Sequence, residues 1–335
     1  MATRSYQVPV IQTSYAKILV QVFTDYGLDL HKLLEDSGLP PGLIESESDF
    51  VPSESIKRLI YLTSSQLGVS RFTDVLGLAF KRRIIPYVLH QFTEFETIED
   101  SLKHINTIFS YDSPGSRVDF IQEHGQSWFC RTATEDNSPM FQWGEVFAIT
   151  YIIELITILS KSPWQPTKVR LQGNDTDIVK TLLSNHCQLF VGHRSTAVLI
   201  PDEILQLPIR LTAKDLSNKP AIIEWHTSFT DSVYELLKPY MKEQDLSLEE
   251  AAELLNFSVR TFQRKLKNEN TTYRKIKENL MFSVACELME EGHTLTYISS
   301  QLGYTNISHF SRAFKRVSGI TPKIYQRSIS AQTRL

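Results

Sequence analysis

The chain has 335 residues, 41% of them hydrophobic and 22% charged, with a formal net charge of −3. That length accommodates two domains, that composition excludes a largely disordered chain, and that charge excludes a protein covered by nucleic acid over its whole surface. The charge is uneven, however: residues 240–335 carry 14 Lys and Arg against 10 Asp and Glu, and the rest carries 21 against 28. A basic end on an acidic body suits a module that meets phosphates only through its C-terminal part.

Apolar spacing predicts a helix over residues 10–27, carrying Ile11, Tyr15, Leu19 and Phe23 and closed by Gly27. A short helix over 30–35 runs into Gly38 and the Pro40-Pro41 loop. Another opens at Pro52-Ser53-Glu54-Ser55 and carries Ile56, Leu59, Ile60 and Leu62. Further helical stretches are predicted near 72–80, 84–92 and 98–109.

The pattern then changes to β. Residues 117–122 and 127–132 are rich in strand formers and flank Glu123-His124-Gly125-Gln126, a hairpin signal. A long helix over 142–160 follows, then strand-like pieces at 168–171, 187–191 and 197–200, with a helix over 175–183 between the first two. The N-terminal part is therefore expected to be an α+β domain with a small, mainly antiparallel sheet. The apolar run 147–159 is broken by Glu154 and falls short of the ~20 residues that span a bilayer. It is expected instead to contribute to a homodimer interface. With no apolar leader in the first residues, a soluble cytoplasmic protein with no membrane partner is expected.

From 208 to 220 the periodicity weakens and Lys, Asp, Ser and Asn accumulate. The expected division is a sensing or dimerisation domain over 1–207, a linker over 208–224 and an all-α domain over 225–335. In the last of these, Ser247 and Glu250 form a capping-box pattern, Asn256 stands at a turn, and Ser258 can cap a second helix. The plan recurs downstream, with Gly303 at the turn and Thr305 as the expected cap. Allowing one extra residue in the later turn, Leu255 matches Leu302, Phe262 matches Phe310, Arg264 matches Arg312 and Lys267 matches Lys315. Each second helix puts an exposed Arg two residues after a buried Phe. The two hairpins read as helix-turn-helix motifs joined by a long linker helix over 272–290. At 1.5 Å per residue such a helix spans about 27–30 Å, near the roughly 34 Å between successive major-groove faces of B-DNA.

The run Gly303–Tyr325 (GYxNxSHFSRAFKRxxGITPxxY) closely resembles the signature of the AraC/XylS family of bacterial transcription regulators. The resemblance implies promoter DNA as partner and base reading by the second helix of each hairpin. Carried over by position, it nominates Arg260, Thr261, Gln263 and Arg264 in the first, and Ile307, Ser308, His309, Ser311, Arg312 and Lys315 in the second. Arginine pairs with guanine or phosphate, and glutamine with an adenine edge. Ile307 departs from the polar residue often found there, and the second hairpin often contributes less in such proteins. More loosely, residues 97–102, 164–169 and 204–208 resemble the arabinose-binding-type sensor domain of ornithine-utilisation regulators. That resemblance implies dimerisation, binding of a small-molecule effector, or both, and does not imply sugar binding. RNA polymerase is a further partner that the family admits, as for an activator, and the sequence leaves activator or repressor open.

Other residues carry less. His186-Cys187 are neighbours on a strand-like segment and point to opposite faces, which favours a structural role. Lys81-Arg82-Arg83 is a charge run that reads as a solvated face or, alternatively, as a site for an anionic effector, and Arg170 and Arg194 are candidates for lining a pocket. Cys130, Cys187 and Cys286 have neither metal-ligand spacing nor a disulfide framework, and they lack the cluster that a DNA-repair alkyl-transfer enzyme fused to such a module would need. Without a Gly-rich phosphate loop or paired carboxylates, no catalytic residue, metal or cofactor is expected. A second reading of the N-terminal part is a protein-interaction module with no effector.

Overall fold

The computed structural model describes residues 8–133, 140–216, 225–242 and 245–332. Two compact units emerge: one contains Pro9–Leu39 and Asp49–Trp225, the other His226–Leu335 with the short stretch Pro40–Ser48. Of the expected linker, residues 217–224 lie outside the described residues.

The first unit is α+β. It begins with β1 (Val10–Gln12) and α1 (Thr13–Asp25), then α2 (Leu30–Ser37), β2 (Phe50–Pro52), α3 (Ser53–Leu67) and α4 (Val69–Ala79). The helix expected from residue 10 therefore starts three residues late. Val10–Gln12 pairs antiparallel with Phe50–Pro52, and tertiary pairing overrides the local helical spacing. Asp29 caps α2, its carboxylate accepting from Lys32 N, and Gly38 ends it at φ +67°.

α4 continues into a π-helical turn, Phe80–Ile84, before α5 (Ile85–Val88) and a 3-10 turn, Leu89–Phe92. Pro86 explains the widening: its ring crowds the carbonyl four residues back and it has no N–H to donate. The turn carries Lys81, Arg82 and Arg83 on its exposed side. Next come α6 (Ile98–Lys103) and α7 (Ile105–Asp112), which divide the single stretch expected over 98–109 at His104.

The hairpin lies where the sequence places it. β3 (Arg117–Glu123) and β4 (Gln126–Thr132) pair from Arg117 opposite Thr132 to Glu123 opposite Gln126. The two-residue turn holds His124 at φ +52° and Gly125 at φ +71°, both left-handed as a type I′ hairpin requires. α8 (Phe141–Ser160) leads to β5 (Lys168–Arg170), α9 (Asp177–Leu182), β6 (Gln188–Phe190), β7 (Thr196–Ile200) and α10 (Asp202–Leu205). The five strands lie in the order β3-β4-β7-β5-β6, antiparallel except for the β5–β6 pair.

α8 is the core helix of this unit. It is the one described helix long and apolar enough to cross a membrane, and 13 of its 20 residues are buried. Its apolarity is thus used up in internal packing, which removes the motive for assigning 147–159 to a dimer interface. Glu145 is fully buried on it, one carboxylate oxygen accepting from Thr196 Oγ1 at 2.7 Å and Gln172 N at 2.8 Å, so helix and sheet are tied by hydrogen bonds as well as by area.

The second unit is helical: α11 (Phe229–Leu237), α12 (Leu248–Leu254), α13 (Val259–Asn268), α14 (Tyr273–Glu290), α15 (Leu295–Gln301), α16 (Ile307–Ser318) and α17 (Pro322–Gln332). Phe262, Leu280, Val284, Ile298, Phe310 and Phe314 are among its buried residues. Glu269 fastens α11 from outside. Its carboxylate accepts from Phe229 N and Thr230 N, both at 2.8 Å, and from Ser228 Oγ at 3.1 Å. Desolvation pushes the Glu269 pKa up, but these hydrogen bonds outweigh it and hold the carboxyl below the usual glutamate range. Glu269→Ala is expected to cost ~1 kcal/mol in urea melts at neutral pH. A lowered folded-state pKa stabilises above the unfolded value, so the difference from wild type shrinks as pH falls through the folded-state pKa.

Candidate nucleic-acid interface

Two helical hairpins share one local grammar. In the first, Ser247 caps α12 by accepting from Glu250 N while Glu250 reaches back to accept from Ser247 N at 2.7 Å, a complete capping box. The helix is closed by Phe257 N donating to Ala252 O and Asn256 N donating to Glu253 O. In the second, Tyr304 N donates to Ser299 O and Gly303 N to Ser300 O. These are equivalent left-handed terminations, with Asn256 at φ +58° and Gly303 at φ +73°.

The second helices then begin alike. Ser258 accepts from Thr261 N to cap α13, and Asn306 accepts from His309 N at 2.9 Å to cap α16. Asn306, and not Thr305, is therefore the cap. The extra residue in the later turn displaces the cap by one, and Thr305 Oγ1 instead lies 3.2 Å from His309 Nδ1. Counted from their caps, Phe262 and Phe310 both stand at the fourth helical position and are buried. Leu266 and Phe314, one turn further on, are buried too.

Nearly everything else on the two helices faces solvent. Arg260, Gln263 and Arg264 on α13 are exposed, as are Ile307, Ser308, His309, Arg312 and Lys315 on α16; Thr261 and Ser311 are half-buried. Thr261 also has a local role, its Oγ1 accepting from Ser258 Oγ at 3.0 Å. Ile307 is 42% exposed, an apolar side chain at the first position of a polar face. Among the described residues, none of the ion pairs involves Arg260, Arg264, Arg312 or Lys315, whereas nearby Arg274 and Arg316 both pair with Glu278. Arg316 ties α16 to the helix carrying Glu278, and Arg274 pairs within that same helix. The cations on the outer faces of α13 and α16 remain available to an anionic polymer.

α14, which joins the hairpins, has 18 residues and is capped by Thr272. It is therefore about 27 Å long. Lys238 and Lys242 clamp it to the preceding segment through Glu287, at 2.7 and 3.1 Å. Reciprocally, Lys238 is raised and Glu287 lowered in pKa by this pairing, against desolvation. Sequence reasoning did not nominate Lys267 and Arg274, which line a cleft of about 700 Å³ together with Gln263 and Lys277. The signal was present in the match of Lys267 to Lys315, and in Arg274 lying in the first turn after Thr272.

The other candidates separate. Arg170 is occupied, pairing with Glu123 at 2.6 Å and lying 3.9 Å above the Trp128 ring. Arg194 is exposed, and Lys81 of the run 81–83 borders a cleft with Asp74 and Glu154. His186 is exposed and Cys187 half-buried.

Residues 251–328 match the helix-turn-helix domain family, a stretch running from within α12 to within α17 and so including both hairpins. Among characterised relatives, the chain is 28% identical over 153 residues to the HTH-type transcriptional activator CsvR of Escherichia coli, covering 44% of this chain and 55% of that one. It is 34% identical over 97 residues to the HTH-type transcriptional regulator AdiY of Escherichia coli K12, covering 29% and 38%. An uncharacterized HTH-type transcriptional regulator of Mycobacterium tuberculosis is 39% identical over 74 residues, 22% of each chain. The matches thus span about half the length of these relatives or less. Among solved structures, the transcriptional regulator CdpR from Pseudomonas aeruginosa aligns over 92% of this chain and 98% of that one at 14% identity, with a TM-score of 0.36.

Proposed function

We propose that this chain is a sequence-specific DNA-binding transcriptional regulator of the AraC/XylS type, in which α13 and α16 read adjacent major grooves of promoter DNA. The observation that carries the reading is the repeated outer face: two capped helices, each anchored by two buried side chains four residues apart, and each presenting exposed arginine that forms no ion pair among the described residues, beside polar side chains. Arginine forks match guanine edges or phosphates, and the Gln263 amide matches an adenine edge. The length of α14, about 27 Å, keeps two such helices within reach of grooves one helical turn apart. The relatives' printed descriptions as transcriptional regulators and the helix-turn-helix match support the same reading.

Footprinting of the full-length protein on promoter fragments tests it. Two protected stretches about one helical turn apart on one DNA face, weakening steeply with salt, are the expected result. Protection of a single groove would remove one hairpin from the mechanism, and salt-insensitive binding would overturn it.

The first unit acts in this proposal as the modulator, by binding a small-molecule effector, by forming a homodimer, or both. What supports effector binding is a partly open cleft of about 80 Å³ between its helices and sheet. The second reading, a protein-interaction module without an effector, predicts no thermal stabilisation by any member of a metabolite panel.

A further inference from the structure

The first unit contains a second, larger cleft of about 490 Å³, lined from α4, the π-helical turn, α8 and the end of α9. That volume lies within the roughly 300–1,000 Å³ of small-molecule sites. Its apolar wall comes from Leu78, Ile153 and Leu182, and its ionisable groups are Asp74, Lys81 and Glu154.

The geometry centres on Gly77. Thr73, Gly77 and Lys81 follow one another at four-residue spacing along α4 and the turn that continues it, with Asp74 and Leu78 beside them. Glycine within a helix disfavours it more than any residue except proline, so its presence calls for a reason. A Cβ at Gly77 would stand 3.9 Å from Glu154 Oε1 on α8, an ordinary van der Waals distance. A side chain could be accommodated here, and glycine keeps the space in front of the Glu154 carboxylate empty. Asp74 stands about one turn before Gly77, and Lys81 about one turn after it.

The polar lining offers mainly acceptors. Thr73 and Thr150, both buried, donate their hydroxyl protons within their own helices, to Ser70 O at 2.9 Å and Val146 O at 2.8 Å. Thr181 donates to Ile178 O at 2.6 Å. These hydroxyls have only lone pairs left to turn into the cleft. Asp74 and Glu154 are acceptors too, and among the described residues neither makes a hydrogen bond or an ion pair through its carboxylate. Lys81 and the exposed Gln165 amide are the side-chain donors of the lining. Glu154 is half-buried: desolvation pushes its carboxyl up, and the Lys81 ammonium acts against that without forming an ion pair. Lys81 thus offsets one of the two negative charges and leaves one for a ligand to meet.

We infer that this cleft binds a small organic ammonium ion, its charge met by Glu154 and Asp74 and its hydrocarbon body against Leu78, Ile153 and Leu182. The inference rests on the reading of the first unit as an effector sensor and specifies the chemical class of that effector. Glu154 is the specificity determinant, because a charge-assisted hydrogen bond distinguishes an ammonium from a hydroxyl of the same size. Lys81 is a like charge beside the ligand and opposes binding, which gives the assignment a sign of its own.

The test compares hexylamine and cyclohexylamine with hexan-1-ol, cyclohexanol and hexanoate, by calorimetry and thermal shift on the full-length protein at neutral pH. The expected result is that both amines raise Tm and bind roughly 10- to 100-fold more tightly than the matching alcohols, with hexanoate weakest. Glu154→Gln is expected to erase the preference for amines, and Gly77→Leu to abolish binding of amines and alcohols alike. Lys81→Met is expected to tighten amine binding by about 3- to 10-fold. The comparison of amine, alcohol and acid on the wild-type chain needs no variant to fold. Hexanoate binding as tightly as hexylamine, or Lys81→Met weakening amine binding, would overturn the ammonium class. Binding that survives Gly77→Leu would overturn the cleft as its location. An amine that binds in the cleft and leaves the DNA footprint unchanged would overturn its role as effector. Failure of all five compounds would overturn the inference, and the sensor reading would then stand or fall on the wider metabolite panel.

Discussion

Alanine at both Arg264 and Arg312 is expected to weaken binding of the full-length protein to a cognate duplex by about 2–6 kcal/mol, measured by fluorescence anisotropy at fixed salt. Each arginine that reads a base contributes about 1–3 kcal/mol. The two residues stand on separate helices without a shared partner, so their effects should add. Both side chains are exposed, and stability should change by no more than about 0.5 kcal/mol. Arg316 is the built-in control: it is also exposed on α16, but it is held by Glu278 at 3.0 Å. Arg316→Ala should therefore affect affinity less than either base-reading change. If the double variant binds as tightly as wild type, the two outer faces are not the reading surface.

The second large effect concerns stability and pH. Asp112 is 2% exposed at the end of α7, where burial pushes its carboxyl up to about 7, opposed by the Gln91 amide donating at 3.0 Å. The unfolded chain titrates near 3.8, so between these values the folded protein holds a proton that the unfolded chain has lost. Stability from this group is greatest at acid pH and is lost as pH rises towards 7, opposite in sign to the effect at Glu269. Above 7 the fold must bury a carboxylate. Asp112→Asn keeps an acceptor for Gln91 and removes the charge. It should stabilise the protein at pH 8 by roughly 2–4 kcal/mol, and the gain should fade towards pH 4–5. A gain that stays constant across that range in denaturant titrations would show that Asp112 is ionised throughout.

The two hairpins were legible in the sequence because their determinants are local. Caps, the left-handed turn position and a buried Phe at a fixed distance from each cap all fall within about 20 residues. The one misplacement, Thr305 for Asn306, arose because an inserted residue can be accommodated on either side of Tyr304, and spacing alone does not choose between them. In the first unit, the β3–β4 hairpin was legible from His124-Gly125 for the same local reason. Strand β1 was not, since its partner lies about 40 residues away and its own spacing fits a helix. α8 misled in another way: a helix buried on most sides has the same composition as one that awaits a partner. The cleft beside α8 was illegible because its lining runs from Ile11 to Tyr151 in the chain and is brought together only by tertiary packing.

In the proposed two-groove reading, the continuous helix between the two outer faces also sets how such a protein can change its target over time. Each residue inserted into α14 turns the downstream hairpin by about 100° relative to the upstream one and moves it by about 1.5 Å. A single insertion therefore scrambles the relative azimuth of the two faces and does not merely stretch the site. Seven residues, close to two full turns, nearly restore the azimuth but lengthen the strut by about 10 Å, well short of the roughly 34 Å to the next major groove on the same DNA face. The length of such a strut is thus constrained twice, by its own helical phase and by that of the DNA, and small insertions cannot satisfy both.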